Sequence, residues 1–470
     1  MQANATTARG PVNLRLRAAE GYVATPDGAS IYIWGYTGET DTPAQLPAPT
    51  IVLNQEDVAT IELANELPEN VSIMFPGQAG VLRVTGSAVR PVRPAYENGR
   101  LVSLTDYAPP GGTITYQFTA YQPGTYLYHS GTEMRKQVQM GLYGVIIVRP
   151  AGFDPSDPAT WSAYGAGTDT EFDREYLLVI SEIDPLMHDV VRLGQPYHAG
   201  VYKPRYWTMN GRCAPDTMIP DGVQFLPRQP YGSMIMAEPG ERVLLRYAGA
   251  GTDNHPLHPH GNHTRVVAFD GRLLRNGSQD LSHKRFTVLV GAGQTYDQIF
   301  QWDGLGYDPV SKPIPTILPN LRNQAIGDAG WTMWSGSPYL GLKGDIPVGV
   351  TSFNMNGEYY FMLHSHEELQ ITNWGEFPGG MMTMIGIFPP GTLGPAAGRS
   401  LLSYSGGNYS AYITLTERGE RQTEGEGRYR TERSVHGKYV SIRPVAADKA
   451  MRSLSPRLTE RLNSCSGARR

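Results

Sequence analysis

Residues 359–366 read YYFMLHSH, and residues 124–131 read GTYLYHSG. Each stretch is an aromatic run that ends in His-Ser. Each is followed by a polar loop and then by an apolar run that begins with glycine, GLYGVIIV at 141–148 and GGMMTMIGIF at 379–388. Aromatic and β-branched residues in runs of this length favour β-strands. Because the same pattern of strand, loop and strand occurs twice, the sequence predicts two copies of one β-domain.

The composition is typical of a protein built from strands. The 470 residues include 54 glycines and 37 prolines, and only 18% of them are charged. This balance favours short strands joined by turns over long amphipathic helices. Between residues 240 and 302, short β-favouring runs alternate with glycine turns at intervals of about ten residues, as in a sandwich or barrel. The prediction is an all-β fold with two domains of the sandwich or barrel type and a C-terminal extension.

Changes in composition along the chain place the domain boundaries. The predicted N-terminal domain is 1–150 and the predicted C-terminal domain is 173–390, separated by a linker at 151–172 that is rich in Gly, Pro, Ser and Asp. Residues 391–470 form a polar, Arg-rich tail. We expect this tail to be partly disordered, because it contains too few apolar residues to bury much surface.

Charge and hydropathy restrict the partners. A formal net charge of -4 gives no electrostatic basis for binding nucleic acid, and no run approaches the roughly 18 apolar residues of a membrane span. The first ten residues, MQANATTARG, lack the apolar centre of a signal peptide. Cys213 and Cys465 are the only cysteines of the sequence, which excludes a disulfide framework.

Histidines mark the candidate site. In a strand, residues two apart point to the same face about 7 Å from each other, so His364 and His366 present two imidazoles together while Ser365 points away. His258 and His260 form a second such pair in NHPLHPHGNH. Histidine pairs on adjoining strands are suited to bind one metal ion. The alternative reading is that they are hydrogen-bonded core or turn histidines. His255 and His263 lie in the same stretch as the second pair, and His129 ends the equivalent strand of the first domain.

Acidic residues close to these histidines are weaker candidates. Glu133, Asp253, Glu367 and Glu368 are candidate hydrogen-bond partners for ligating imidazoles or hard oxygen ligands for manganese or iron. The alternative is that they belong to solvated polar loops.

At these motifs the sequence resembles the multicopper oxidases. HPLHPHGNH resembles their His-Pro-x-His-x-His-Gly copper motif, YLYHSG their His-x-His strand, and LHSHEEL with GGMM their His-Cys-His with a downstream Gly-Met. The resemblance runs from about Gly21 to Pro390 and implies an all-β fold of two cupredoxin-like Greek-key β-sandwich domains with a C-terminal extension. The sequence is similar in particular to the divergent branch of this family that includes bacterial manganese oxidases and outer-membrane oxidases of metal-reducing bacteria.

The resemblance implies a type 1 copper site that this chain fills only in part. His255 and Met381 remain at its positions, as weaker candidate ligands, but Ser365 stands where the family has cysteine and Gln370 where it has a second histidine. A hydroxyl is a poor substitute for the thiolate, whose covalent bond to copper carries the electron. We therefore expect type 1 copper to be absent.

The family's trinuclear site is also incomplete. By resemblance, His258 matches a type 2 ligand, and Met74, Pro76 and Gly131 stand where the family has histidines. The matches to type 3 ligands are His129, His260, His364 and His366. These five histidines imply one or two copper ions, with zinc or manganese as weaker alternatives.

Two function classes follow. The first is a copper-binding oxidoreductase without type 1 copper, with a reduced mononuclear or binuclear site at an interdomain or intersubunit interface and a small molecule or metal ion as substrate. The second is a non-catalytic cupredoxin scaffold or binding protein with vestigial ligands. Two-domain members of the family often share the site between the protomers of a trimer and are usually exported. The resemblance therefore implies a homotrimer and a periplasmic or extracellular location.

Overall fold

A computed structural model describes residues 11–38, 43–304, 359–388 and 390–393, together with short strands in the tail. Strands predominate in these residues, so the predicted all-β class is confirmed. The two described α-helices are short, α1 at Met134–Gln137 and α2 at Pro185–Arg192. None of the described helices is long and apolar enough to cross a membrane. MQANATTARG and Cys465 lie outside the described residues.

The strands up to residue 149 form two main sheets, in the orders β2-β1-β4-β9-β5-β6 and β10-β11-β3, and β7 and β8 pair as a small hairpin. The strands are β1 Pro11–Ala24, β2 Ser30–Thr37, β3 Ile51–Asn54, β4 Val58–Asn65, β5 Leu82–Thr85, β6 Ala88–Pro91, β7 Ala95–Glu97, β8 Arg100–Ser103, β9 Thr113–Thr119, β10 Gly124–His129 and β11 Tyr143–Arg149.

The strands from residue 174 to residue 387 also form two main sheets, in the orders β13-β12-β15-β23-β17-β18, with β21 beside β17, and β14-β25-β24-β16-β22. The strands are β12 Arg174–Ile183, β13 Tyr206–Met209, β14 Ile235–Ala237, β15 Arg242–Gly249, β16 His255–Pro259, β17 Thr264–Phe269, β18 Arg272–Leu273, β19 Arg275–Asn276, β20 Gln279–Asp280, β21 His283–Arg285, β22 Val288–Val290, β23 Thr295–Gln301, β24 Tyr359–Ser365 and β25 Met382–Ile387.

The repeated sequence pattern corresponds to a repeated topology. β11 is antiparallel to β10 and parallel to β3, and β25 has the same relations to β24 and β14. Likewise, β1 is antiparallel to β2 and parallel to β4, as β12 is to β13 and β15. The two runs that end in His-Ser therefore occupy equivalent strands, β10 and β24.

Each pair of sheets encloses an apolar core. Residues of β4 and β9 are alternately buried and more exposed, as expected for strands with one face on a core. Ile61 of β4 and Tyr116 of β9 belong to the first core. Leu245 of β15, Leu257 of β16 and Ile385 of β25 belong to the second.

A third apolar cluster joins the two halves. All residues of β11 are buried, which explains its unbroken apolar sequence. Ile146 and Val148 face the first core, whereas Val145 and Ile147 pack with Leu177 of β12. The domain boundaries inferred from composition stay a prediction.

Buried ion pairs also link the two halves of the molecule. Arg149 of β11 donates to both carboxylate oxygens of Glu175 at 2.7 and 2.6 Å, and Arg246 donates to Glu175 at 2.5 Å. Arg246 also donates to Asp297 at 3.2 Å and to Thr125 of β10 at 2.8 Å. Burial by itself raises the pKa of Glu175, but the two guanidinium groups outweigh it and lower the pKa to about 2. Glu175 is therefore ionised at neutral pH.

The predicted tail contributes two hairpins to the described residues. β26 (Ser403–Ser405) pairs with β27 (Asn408–Ser410), and β28 (Thr431–Val435) pairs with β29 (Val440–Pro444). The second hairpin lies in a compact unit of its own, Leu415–Arg470, separate from Met1–Thr414. The remainder of the tail after residue 393, and its predicted partial disorder, lie outside the described residues.

Candidate metal centre

The pairing of β16 with β24 brings the predicted histidines together. His258 lies directly opposite His364, and Leu257 lies opposite Ser365. Because side chains alternate along a strand, Leu257 and Ser365 point into the domain, where both are buried, and the two histidines lie on the other face.

Four imidazole rings form one cluster on that face. The centroids of His258 and His364 are 6.0 Å apart, those of His258 and His366 4.9 Å, and those of His260 and His364 4.7 Å. Within each pair of the sequence, the centroids are 5.3 Å apart for His258 and His260, and 5.5 Å for His364 and His366. The spacing argument that placed each pair on one face is confirmed by these distances.

Hydrogen bonds orient two of these rings. His364 Nδ1 lies 2.6 Å from the carbonyl oxygen of Ser365, so this nitrogen donates and leaves Nε2 with the lone pair. His258 Nδ1 lies 2.9 Å from the Thr287 hydroxyl. A partner on one ring nitrogen holds the imidazole so that the other nitrogen is presented to a metal. The arrangement therefore suits coordination through Nε2.

The environment favours the uncharged form of three of these histidines, His258, His260 and His364. Burial lowers the pKa of His260 to about 4, and the neighbouring histidines add to the effect. The pKa values of His258 and His364 are lowered too, again mainly by burial. Neutral imidazole is the form that binds metals, so the histidines are ready to act as ligands at neutral pH.

We expect the metal-free protein to lose stability in mild acid. Above pH 6.5 His260 is neutral both folded and unfolded, but between about pH 6.5 and pH 4 only the unfolded chain takes up the proton. The free energy of unfolding should therefore fall over this range, and His260→Gln should reduce the fall. Urea unfolding at pH 7.5 and pH 5 measures the difference, with exposed His283→Gln as the control. Equal pH dependence in both variants would contradict the prediction.

The rings must shift slightly to share an ion. His260 Nε2 and His364 Nε2 are 2.7 Å apart and form a hydrogen bond, whereas two nitrogen ligands of one ion lie about 3 Å apart or more. Consistent with this, no group of three His, Cys, Asp or Glu side chains among the described residues is already arranged to hold a metal. Imidazole is nevertheless a donor that copper and zinc both bind, and sharing an ion requires His260 Nε2 and His364 Nε2 to separate by a few tenths of an ångström.

We expect Thr287→Val to weaken copper binding about 10–100-fold, because the variant removes the hydroxyl that orients His258 and keeps the side-chain shape. Thr287→Ser retains a hydroxyl and should restore most of the affinity. Competitive titration against a chelator of known affinity measures both variants. Unchanged affinity in Thr287→Val would show that this hydrogen bond does not support the site.

His129 lies apart from the cluster within one chain. It ends β10, and its Nδ1 lies 2.9 Å from the Ser130 carbonyl oxygen, which leaves the lone pair on Nε2 as in His364. Among the described residues, His129 makes no ring contact or hydrogen bond with the four clustered histidines. Met74, at a position where the resemblance implies a histidine, pairs through its backbone with His129.

The four acidic residues that are weaker candidates have different surroundings in the structure. Glu368 Oε1 is 3.6 Å from His366 Nδ1. The backbone N–H of Glu367 lies 3.3 Å from the Ser365 hydroxyl. Glu133 precedes α1 with a left-handed backbone, and the backbone N–H of Asp253 lies 3.3 Å from Glu182.

Sequence reasoning missed Thr287 and Glu182. Nothing in the sequence around Thr287 signals its contact with His258. Glu182 leaves a signal, because it is an acidic residue near the end of the otherwise apolar run YLLVISEI and is nearly completely buried.

The positions that resemble a type 1 copper site lie inside the domain. His255, Ser365 and Gln370 are all buried, and Met381 is buried in the second core. His255 Nδ1 lies 2.8 Å from Gln370 Oε1, and Ser365 donates to the same oxygen at 2.6 Å. His255 and Ser365 therefore both form hydrogen bonds with the Gln370 side chain.

Comparison with known proteins agrees with this architecture. Residues 24–152 match a family model described as multicopper oxidase. Laccase-1 of Cryptococcus neoformans var. neoformans serotype D is 25% identical over 393 residues, which cover 79% of this chain and 51% of the laccase. The chain thus spans about half the length of that relative.

Two solved structures share the fold. The blue copper oxidase from Nitrosomonas europaea has a TM-score of 0.51 at 20% identity, covering 80% of this chain and 85% of that one. The multicopper oxidase mgLAC has a TM-score of 0.52 at 18% identity, covering 82% and 87%. The fold is therefore of the cupredoxin type that the resemblance implied. The family match shows in addition that residues 24–152 are similar to the multicopper oxidases.

Proposed function

We propose that this protein is a copper-binding oxidoreductase that works without type 1 copper. The observation that carries the proposal is the cluster of His258, His260, His364 and His366 on one face of the β16–β24 pair. These four residues would hold one ion or two through their ε-nitrogens. Copper is the preferred metal, because imidazole sites follow the Irving–Williams order, with zinc or manganese less favoured.

The residues of the cluster define the side from which a substrate would approach and the orientation of the imidazole rings. When bound, copper supplies one-electron redox chemistry at the surface of the domain. His366 is 53% exposed, so a small molecule or metal ion would approach from its side, while buried His364 is held by the Ser365 carbonyl. Ser365 replaces the cysteine of the family, so no thiolate joins this cluster to a second metal. The electrons would then come from a substrate or partner bound at the cluster itself.

We also propose that a second copy of the chain completes the site. The lone pair of His129 is on Nε2, and among the described residues His129 makes no contact with the cluster. Exposed apolar residues lie near both positions in the chain: Leu104 hydrogen-bonds through its backbone to Gly131, two residues after His129, and Phe286 and Leu289 lie within two residues of Thr287. A homotrimer, and a periplasmic or extracellular location, are proposed on the resemblance to two-domain members of the superfamily.

One observation favours the alternative of a non-catalytic cupredoxin scaffold or binding protein. The direct 2.7 Å contact between His260 Nε2 and His364 Nε2 satisfies both nitrogens without a metal. A scaffold with vestigial ligands would retain this hydrogen bond in all conditions.

Elemental analysis of protein that is loaded with copper and then dialysed tests the proposal. We expect about one or two copper ions per chain, an EPR signal of histidine-ligated Cu(II) and no intense blue absorption. Oxygen uptake should follow addition of a diphenol or Mn(II). Sedimentation of the same samples should show trimers, with less copper in dissociated chains. Absence of stoichiometric copper would overturn the proposal and favour the scaffold.

A further inference from the structure

The internal repeat gives His129 a thioether as its cross-strand neighbour. In the second half of the chain, His258 lies directly opposite His364. In the first half, Met74 lies opposite His129, because the Met74 N–H donates to the His129 carbonyl at 2.7 Å and the His129 N–H donates to the Met74 carbonyl at 3.2 Å. In such a pair the Cα atoms are about 5.5 Å apart and both side chains stand on the same face. Met74 is therefore placed toward His129 as His258 is placed toward His364.

A glycine makes room for the sulfur of Met74. Gly131 is two residues after His129, at the position that corresponds to His366 in the repeat, so it lies on the same face as His129. A Cβ atom at Gly131 would lie 2.7 Å from Met74 Cγ and 2.9 Å from Met74 Sδ. The thioether thus fills the space that a side chain at residue 131 would need.

Hydrogen bonds fix the backbone around this glycine. The Gly131 N–H donates to Ser72 Oγ at 3.0 Å, and the Gly131 carbonyl accepts from the Leu104 N–H at 2.9 Å. Thr105 Cγ2 is 3.2 Å from the same Cβ position, and the buried Thr105 hydroxyl has no hydrogen-bond partner among the described residues. A buried hydroxyl of this kind is accounted for by a bound water or ion. The surroundings of the thioether are therefore both defined and partly polar.

His129 and Met74 each present one donor atom. His129 Nδ1 lies 2.9 Å from the Ser130 carbonyl oxygen, which leaves the lone pair of the neutral ring on Nε2. The sulfur of methionine is soft and polarizable. Both side chains are half-buried. An imidazole nitrogen and a thioether sulfur therefore share one face of the first half of the chain.

This pair of donors selects a different ion from the one that suits the four clustered histidines. Thioethers select Cu(I), whereas a site of imidazoles alone suits Cu(II) or zinc. Cu(I) has a filled d shell, so its d electrons impose no coordination geometry and a site with few protein ligands suits it.

We propose that His129 and Met74 form a second metal site, which binds a soft monovalent ion such as Cu(I). Gly131 shapes this site by leaving the space that the sulfur occupies. The inference goes beyond the proposed function and stands without copper at the clustered histidines. If His129 completes the cluster of a second copy, Met74 brings its thioether to that shared site.

The first experiment titrates the full chain with Cu(I) under anaerobic conditions, in competition with bicinchoninate. His364→Ala/His366→Ala serves as the background, because it removes half of the histidine cluster. Adding Met74→Leu, which keeps the apolar volume, should weaken Cu(I) binding by more than about 10-fold, since losing a ligand costs at least as much as losing an orienting partner. Half-buried Met218, which packs against an apolar cluster, supplies the control Met218→Leu. Equal Cu(I) affinity in the Met74→Leu and Met218→Leu proteins would overturn the proposal and leave Met74 as a packing residue.

A second measurement reads the sulfur directly in the wild-type chain. Ag(I) is a soft monovalent ion that does not change oxidation state here, and NMR of 13C-methyl methionine should show the Met74 signal shifting with one equivalent. Met74→Leu assigns this signal by its loss. Gly131→Ala should reduce the shift, because the added Cβ displaces the sulfur. An unshifted Met74 signal in the folded wild type would overturn the proposal, whatever metal the clustered histidines bind.

A third variant exchanges the donor. Met74→His places two imidazoles opposite each other, as His258 and His364 are in the second half. The variant should bind Ag(I) more weakly and Cu(II) more tightly than the wild type does, each by about 10-fold or more. The same preference in both proteins would contradict a role for the thioether in selecting the ion.

Discussion

Replacing Arg246 by methionine is expected to lower the free energy of unfolding by about 3–5 kcal/mol. Arg246 is fully buried and bonds to Glu175, Asp297 and Thr125. Without it, Glu175 still has Arg149, but Asp297 retains only hydroxyl donors. An ionised carboxylate left without a cation in a buried interface is destabilising, because neither water nor a counter-charge compensates it.

Urea unfolding measures this effect, and the same strand supplies a control. Arg242 lies four residues earlier in β15 and pairs with Asp169, whose side chain is 64% exposed. Arg242→Met should cost about 0–1 kcal/mol, since exposed ion pairs contribute little. Adding Asp297→Asn to Arg246→Met should recover part of the loss by removing the unpaired charge. Equal costs for Arg246→Met and Arg242→Met would show that the buried network does not stabilise the contact.

Replacing both His364 and His366 by alanine is expected to weaken copper binding by more than about 100-fold. The double variant removes one buried and one exposed imidazole from the cluster and, among the described residues, leaves His258 and His260 as its remaining imidazoles. Because each metal–nitrogen bond adds to affinity, two remaining imidazoles should not retain copper through dialysis.

Copper content after dialysis, with circular dichroism to verify folding, measures the loss. His263→Ala/His283→Ala is the matched control, since it removes two nearby histidines that do not belong to the cluster. The control should keep the copper content of the wild type. If His364→Ala/His366→Ala retains as much copper as the control, these histidines are not the ligands.

The parts of the site that could be predicted from sequence are local in the chain. His364 and His366, and likewise His258 and His260, lie two residues apart, so strand geometry alone places each pair on one face. The two runs that end in His-Ser predicted a pair of equivalent strands, because each run is followed by the same pattern of polar loop and apolar strand. The family resemblance then indicated which histidines to compare.

The parts that could not be predicted depend on contacts between distant residues. Glu182 and His255 are 73 residues apart, and His255 and Gln370 are 115 apart. Whether such side chains meet depends on strand register and on how the two halves pack. His129 illustrates the limit, since its match to a ligand position says nothing about which chain supplies the neighbouring histidines.

The sequence by itself determined the all-β class, the repeat and the orientation of each histidine pair, because alternation along a strand is a property of consecutive residues. Only the tertiary structure decided that His258 faces His364 across β16 and β24, that Thr287 contacts His258, and that Glu182 contacts His255. These relations arise from the pairing and packing of separate strands, in which a shift of one residue would turn every side chain to the opposite face.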